Sequence, residues 1–306
     1  MMKLRTIRMH KIKFTLMMCC VLVLTALTTA CGKNNQLTIG TQTYTETKIL
    51  AEMYKALIED QTDIQVNIIP DLASSSLVIN AMKRNDLQMA TLYTGEIFNN
   101  HFPIDETKDR EKVLKQAQEG FDRYFQFTWL KPLGFENTYA FTVRKDLAES
   151  KGYKKISDVQ KDMGSMKLGV DTTWLERSTD GYPAFSKAYG IKFGQVFPME
   201  VSLVYSAVAD KQVDIVLAYS TDSRLKAYKL QTLEDDKQFF PPYDASPVLR
   251  KDLLEKHPEV QKLISPLIGA LDADTMISLN YQVDIEKRSE REVALEYLKK
   301  KGLIKS

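Results

Sequence analysis

The chain has 306 residues, and its 42 Lys and Arg residues nearly balance its 40 Asp and Glu residues. The formal net charge of +2 at pH 7 excludes the strong basic excess that is typical of nucleic acid-binding proteins. All three Cys residues lie within the first 31 positions, so the rest of the chain must be stabilised by its core without disulfides.

The first 30 residues are predicted to be a secretory signal peptide. Five basic residues between Lys3 and Lys13 precede an apolar run from Phe14 to Leu27. This run of about 14 residues is shorter than the ~20 residues that a membrane-spanning helix requires. The small residues before Cys31 resemble a bacterial lipobox, in which the Cys becomes the lipid-modified first residue of the mature chain. Thr28 departs from that pattern, because lipoboxes usually carry Leu or a similar residue there.

Removal of the leader changes the charge and sets the size of the folded part. It removes five basic residues and no acidic one, so 276 residues with a net charge of −3 remain. A single small hydrophobic core usually stabilises a shorter chain than this, and two lobes are therefore expected.

The mature chain alternates predicted strands and helices. The βαβαβ order of its first part implies a largely parallel sheet with right-handed crossovers. Strands are predicted at 36–42, 64–70, 87–93, 167–171, 195–199 and 213–220, and helices at 45–60, 74–86, 109–125, 183–190 and 202–211. After residue 244 the chain is predicted to be mainly helical, at 248–256, 258–270, 273–281 and 288–301.

These two sets of elements predict two lobes that are linked twice. The first lobe comprises residues 31–140 and 240–306, and the second comprises residues 141–239. The candidate crossings are AFTVRKD at 140–146 and the FFPP segment at 239–242. Two short extended crossings suit a hinge, with a ligand cleft between the lobes. An exported, cysteine-poor chain of this form fits a solute-binding protein of an importer.

Four tyrosines stand at predicted strand ends or crossings, where a cleft would lie: Tyr93, Tyr139, Tyr219 and Tyr243. Each of them, considered alone, is also compatible with a core or rim position. Tyr54 and Tyr205 lie on apolar helix faces and are interpreted as core residues. Pro241 and Pro242 restrict the backbone before Tyr243 and are expected to hold its ring in place.

The mature chain resembles the glycine betaine/carnitine/choline-binding lipoproteins of osmoprotectant ABC importers. The resemblance rests on GFENTYAFTV, LGVDTTWLER, VLAYSTDSRLKAY, FFPPYDASPV and LNYQVD, which occur in order along the chain. It implies an α/β, two-lobed periplasmic-binding-protein-like (type II) fold, ABC permease subunits as partners, and no cofactor. It also implies that Tyr93, Tyr139, Tyr219 and Tyr243 form an aromatic cage around a quaternary ammonium group. Such a cation is poorly hydrated and is attracted to ring faces by about 0.5–2 kcal/mol each.

Several polar residues are candidates for the other end of the ligand. Gln42 follows the first strand and resembles a family position that hydrogen-bonds ligand. Ser74 and Ser75 open a helix, so they either offer N–H groups to a ligand carboxylate or simply cap the helix. Asn137 either contacts ligand or supports Tyr139.

Glu96, in YTGEI, is the most informative departure from the family pattern. Family members with a broad substrate range tend to carry Thr here, and choline-restricted relatives tend to carry Asp. A carboxylate near the ligand's polar end would accept a hydrogen bond from the hydroxyl of choline and repel the carboxylates of glycine betaine and carnitine. Alternatively, Glu96 points to solvent or pairs with a Lys or Arg, and the protein has a broad range.

An enzyme and a scaffold or adhesin are the alternatives from other classes. Only His101 and His257 remain in the mature chain, and both are interpreted as surface residues. The chain shows no metal-ligand spacing and no Gly-rich phosphate loop, although carboxylates that could act as acids and bases are abundant. We therefore expect no catalytic residue, no metal and no nucleic acid partner, and an extracytoplasmic, lipid-anchored protein.

The lipobox interpretation predicts the effect of removing its Cys. Cys31→Ala should leave the domain folded and able to bind ligand, but release it from the membrane fraction, because the lipid is its anchor. Fractionation of cells that carry the parent or the variant measures this. Retention of the variant in the membrane would show that the signal is not a lipobox and that the leader persists as the anchor.

Overall fold

Two five-stranded sheets organise the chain in the computed structural model, which describes residues 35–176, 181–190 and 192–305. The predicted signal peptide and Cys31 lie outside the described residues. The strands are β1 (Gln36–Gln42), β2 (Gln65–Leu72), β3 (Met89–Tyr93), β4 (Phe127–Trp129), β5 (Tyr139–Arg144), β6 (Lys167–Val170), β7 (Gln195–Pro198), β8 (Ile215–Tyr219), β9 (Leu230–Thr232) and β10 (Ala245–Arg250).

The first sheet has the order β2–β1–β3–β10–β4, and the second has the order β7–β6–β8–β5–β9. In the first sheet β1 is parallel to β2 and β3, whereas β10 runs antiparallel to β3 and β4. In the second sheet β6 is parallel to β7 and β8, whereas β5 runs antiparallel to β8 and β9. The strands therefore form the two lobes of a type II binding-protein fold.

Helices cover both sheets and bury their apolar sides. Within the described residues, none of them is both long and apolar enough to cross a bilayer. The helices are α1 (Thr45–Glu59), α2 (Ser75–Lys83), α3 (Arg110–Phe125), α4 (Lys145–Lys151), α5 (Thr172–Glu176), α6 (Tyr182–Tyr189), α7 (Val201–Ala209), α8 (Ser223–Ala227), α9 (Lys251–Lys256), α10 (Glu259–Ile264), α11 (Ala273–Asp284) and α12 (Glu290–Lys300).

Each lobe has its own core. In the first, apolar residues of β1 and α1 pack with those of the C-terminal helices, from Val260 to Leu298. In the second, aromatic rings dominate, with Phe141 stacked on Phe185 at 4.4 Å between ring centroids. The alternation of strands and helices that the sequence predicts is confirmed in both lobes. Tyr54 and Tyr205 are fully buried, as predicted.

Three parts of the secondary-structure prediction are wrong. The helix predicted at 248–256 begins only at Lys251, because residues 245–250 form β10 between β3 and β4. The segment at 140–146 is not a crossing, since residues 139–144 form β5 inside the second sheet. The three-residue strands β4 and β9 were not predicted, because such short strands are specified by their partners in the sheet and leave little local pattern.

The chain passes between the sheets in residues 130–138 and again in residues 233–244. The two passages are hydrogen-bonded to each other, with an antiparallel bridge between Glu136 and Asp244 and an Asn137 N–H bond to the Tyr243 carbonyl at 3.0 Å. Arg110 ties both together, because its guanidinium pairs with Glu136 at 2.7 Å and with Asp244. We propose that these paired passages form the hinge. The lobe boundaries predicted at 140 and 240 would then lie beside the hinge.

Candidate functional site

A cavity of about 330 Å³ lies between the two lobes, beside the passages. It forms where strands from both sheets end, which is where ligands bind in open α/β folds. All nine residues predicted for the site line this cavity: Gln42, Ser74, Ser75, Tyr93, Glu96, Asn137, Tyr139, Tyr219 and Tyr243. The structure adds four residues that the sequence did not single out, Tyr44, Ala73, Asn99 and Thr138, and it places Pro241 in the lining as well.

Two of the tyrosine rings come from the second lobe and form one wall. Tyr139 begins β5 and Tyr219 ends β8, and the two residues are paired across the antiparallel ladder. Their rings stack with a centroid distance of 5.3 Å and an interplanar angle of 20°. Residues opposite each other in adjacent strands project from the same face of the sheet, so the ladder itself brings these rings together.

Tyr243 comes from the return passage and is held against the first lobe. Its ring lies directly over Gly95, where a Cβ atom would come within 2.3 Å of a ring carbon. Thr94 fixes the same segment, since its hydroxyl oxygen accepts from the Asp244 N–H at 2.9 Å. Gly95 is therefore required because the ring approaches the backbone closely. The Gly95 and Thr94 contacts restrict the segment that carries the ring; the effect expected of the two prolines stays a prediction.

Glu46 is a buried carboxylate at the site that the sequence analysis missed. It lies in the first turn of α1 and is only 2% exposed. Its Oε1 accepts a hydrogen bond from the Tyr93 hydroxyl and another, at 2.8 Å, from Asn137 Nδ2. Burial, followed by the Glu46 charge, raises the pKa of Tyr93 well above its ordinary value, so Tyr93 stays a neutral donor. An acid in the first turn of a helix is common, and no sequence signal marked this one.

Tyr44 stands at the rim of the cavity, directly before α1, and is 51% exposed. Its pKa is raised, first by the part of the side chain that is buried and then by the nearby Tyr219 and two carboxylates. It thus presents a neutral tyrosine between solvent and the cavity. The sequence analysis did not single out this residue.

The polar candidates differ in their partners. Ser74 caps α2, with its hydroxyl oxygen accepting from the Leu77 N–H at 3.3 Å, so the capping interpretation is confirmed for this residue. The buried side-chain oxygens of Gln42 and Asn137 accept no hydrogen bond within the described residues. Asn137 Nδ2 donates to Glu46, and its backbone N–H donates to the Tyr243 carbonyl.

Within the described residues, Glu96 neither points to solvent nor pairs with a Lys or Arg. It lies in the 3-10 turn Thr94–Asn99 that follows β3 and is 4% exposed. Its Oε2 accepts from Asn99 Nδ2 at 2.9 Å and lies 3.7 Å from His101 Nε2. In the part of the chain that the structure describes, His101 is its only basic neighbour within ion-pair distance. The carboxylate therefore faces the cavity without a permanent cation.

The interpretation of both histidines as surface residues is wrong. The side chains of His101 and His257 are 15% and 17% exposed. His101 packs against Phe121 and Phe125 beside Glu96, whereas His257 lies 3.2 Å from Glu259 at the start of α10. Aromatic residues of α3 cover His101, and this long-range contact was invisible in the loop sequence around it.

Comparison with known proteins gives a consistent result. Residues 35–300 match the family model described as the substrate-binding domain of ABC-type glycine betaine transport systems. The chain is 41% identical to the carnitine transport binding protein OpuCC of Listeria monocytogenes, over 86% of this chain and 85% of that protein. It is 34% identical to a glycine-betaine-binding protein of Pseudomonas aeruginosa, over 88% of each.

A solved structure extends the similarity to three dimensions. The crystal structure titled glycine betaine/carnitine/choline ABC transporter has a TM-score of 0.85 and 37% sequence identity to this chain. The match covers 87% of this chain and 99% of that one. The whole described fold, including both lobes, is therefore shared.

The geometry predicts that Tyr243 contributes directly to ligand affinity. Tyr243→Ala should weaken binding of a quaternary ammonium ligand by about 1–3 kcal/mol, because ring attraction and packing are both lost. Tyr243→Phe should cost less, since the ring face remains. Calorimetric titration measures both, and Tyr228→Ala, an exposed tyrosine outside the cavity, is the control. Unchanged affinity in Tyr243→Ala would remove this residue from the cage.

Proposed function

The chain belongs to the family of substrate-binding domains of ABC-type glycine betaine transport systems, and from this premise we propose that it captures choline in the cavity between its lobes. Members of this family are binding proteins of importers and not enzymes. The protein is thus a substrate-binding protein of an osmoprotectant importer for the glycine betaine and carnitine class. In the proposal, Tyr93, Tyr139, Tyr219 and Tyr243 form the cage for the quaternary ammonium group.

The observation that carries the proposal is the combination of aromatic rings with buried negative charge. Glu46 and Glu96 are both nearly inaccessible to water, and neither has a Lys or Arg within ion-pair distance among the described residues. A buried carboxylate without a cation costs several kcal/mol. A ligand cation between the rings would offset this cost, whereas a neutral or anionic ligand would not. The ring faces add attraction that does not require an N–H donor.

The polar end of the cavity favours a hydroxyl over a carboxylate. Glu96 presents acceptor atoms only, and the side-chain oxygens of Gln42 and Asn137 also lack donors. The hydroxyl of choline could donate to one of these groups. The carboxylate of glycine betaine or carnitine brings no donor and would lie close to the Glu96 charge. Choline is therefore the preferred ligand in this proposal.

The alternative is a broad-range binder of glycine betaine and carnitine in which Glu96 does not touch the ligand. The helix N-terminus at Ser74 and Ser75 is the observation that favours it, because its N–H groups suit a carboxylate. The two proposals share the cage and differ only at the polar end, so substitution of Glu96 separates them.

We also propose that the protein is held at the outer face of the membrane by a lipid on Cys31 and delivers its ligand to the permease subunits. Anchoring keeps the local concentration of the binding protein near its permease high. This part of the proposal rests on the sequence before residue 35.

The role of the buried charge is tested with Glu46→Gln. The amide retains an oxygen that can accept from Tyr93 and Asn137, but the negative charge is lost. Affinity for choline should fall by about 5- to 30-fold, as expected for a charge about one side chain away from the cation. Affinity for 3,3-dimethyl-1-butanol, an uncharged isostere of choline, should change little. Competition titrations compare the two ligands.

The control for this test is Glu52→Gln, on the same helix but paired with Arg291 at 3.1 Å outside the cavity. It should bind both ligands like the parent. If Glu46→Gln lost equal affinity for choline and for the uncharged isostere, Glu46 would act only by maintaining the structure of the site. Its charge would then have no role in binding the cation.

The choice between the two ligand classes is tested with Glu96→Thr. Loss of the charge should raise the affinity for glycine betaine relative to that for choline by about 5- to 150-fold, since one charge contact in a partly wet cleft contributes about 1–3 kcal/mol. Calorimetry of parent and variant with both ligands gives this ratio directly. An unchanged ratio favours the broad-range alternative.

A further inference from the structure

We infer that His101 is a positioning residue that controls the charge at the polar end of the cavity through Glu96, and so makes the selectivity between hydroxyl- and carboxylate-bearing ligands depend on pH. The inference rests on the proposed function, because it concerns the same cavity. It adds a residue that neither touches the cage nor lines the cavity.

The geometry isolates the two side chains as a pair. His101 Nε2 lies 3.7 Å from Glu96 Oε2, is buried, and makes no hydrogen bond within the described residues. On its other sides the imidazole is enclosed by Phe121 and Phe125, with ring centroids at 5.6 Å and 6.2 Å and edge-on angles of 62° and 85°. The polar group that this nitrogen approaches is therefore the Glu96 carboxylate.

Other charged groups on the surrounding elements are directed elsewhere. Lys83, at the end of α2, lies over the Phe125 ring at 4.7 Å. On α3, Asp122 pairs with Lys251, and Arg123 lies over the Tyr124 ring at 5.6 Å. Among side chains, histidine is the one whose ordinary pKa lets its charge change between about pH 5 and 8.

The sign of the effect follows from this pairing. When His101 is neutral, Glu96 presents its full negative charge to the cavity, so a ligand carboxylate is repelled. When His101 is protonated, the two charges form a pair, and the repulsion is reduced. Lower pH should therefore raise the affinity for glycine betaine relative to that for choline. This change should occur well above about pH 4, where carboxylates themselves titrate.

The experiment is a set of titrations of choline and glycine betaine between about pH 5 and 8. In the parent, the ratio of the two affinities should shift toward glycine betaine by about 3- to 30-fold as pH falls. In His101→Gln, which keeps a polar side chain of similar reach but does not titrate, the ratio should be independent of pH. His257→Gln changes the other histidine of the mature chain. Its affinity ratio should depend on pH as that of the parent does.

A second variant keeps the test decisive if His101→Gln does not fold. His101→Asn places a shorter amide that does not titrate at the same position, so its affinity ratio should also be independent of pH. A ratio that changes with pH in His101→Asn or His101→Gln as it does in the parent would overturn the inference. So would a constant ratio in the parent. Failure of the parent to bind any quaternary amine at any pH would instead overturn the proposed function.

Discussion

The buried carboxylate of Glu46 is the interaction on which the cavity depends. Its Oε1 atom receives hydrogen bonds from Tyr93, at the end of β3, and from Asn137, in the first passage between the lobes. Three separate segments thus meet at one negatively charged oxygen. Two donors offset part of the cost of burying this charge, but no cation within the described residues offsets the rest. The fold therefore places a negative charge beside Tyr93 and Asn137, both of which line the cavity.

The same contacts link the cavity to the passages between the lobes. Asn137 and Tyr243 belong to opposite passages and are joined through the backbone, and Arg110 pairs with the residues next to them, Glu136 and Asp244. Burial raises the pKa of Asp244 against the opposing effect of Arg110. A ligand that contacts Tyr243 and Asn137 would act directly on the hinge. Its binding free energy is thereby coupled to the relative position of the lobes.

The sequence predicted the elements whose pattern is local and missed those set by distant partners. The apolar spacing of α1 and the buried run of β3 were sufficient to place them. The residues of β10 have a sequence that also suits a helix, and only pairing with β3 and β4 makes them a strand. Tyr93 and Tyr219 could be placed at strand ends, because each closes a strand with a local apolar pattern. The surroundings of His101, by contrast, depend on α3, which follows it in the chain and folds back over it.

The polar end of the cavity explains why one carboxylate can decide selectivity. Choline and glycine betaine share the trimethylammonium group, so a ring cage cannot distinguish them. The amide of Gln42 carries both donor and acceptor atoms and could present either to a ligand, whereas the Asn137 amide donates to Glu46 and leaves its oxygen toward the cavity. Glu96 has no such freedom, because an ionised carboxylate only accepts. It can admit an anionic ligand group only if its own charge is compensated, and the neighbour placed to do this is His101. In the proposed function, the cage would select the class of ligand, and the Glu96 charge beyond it would select the member.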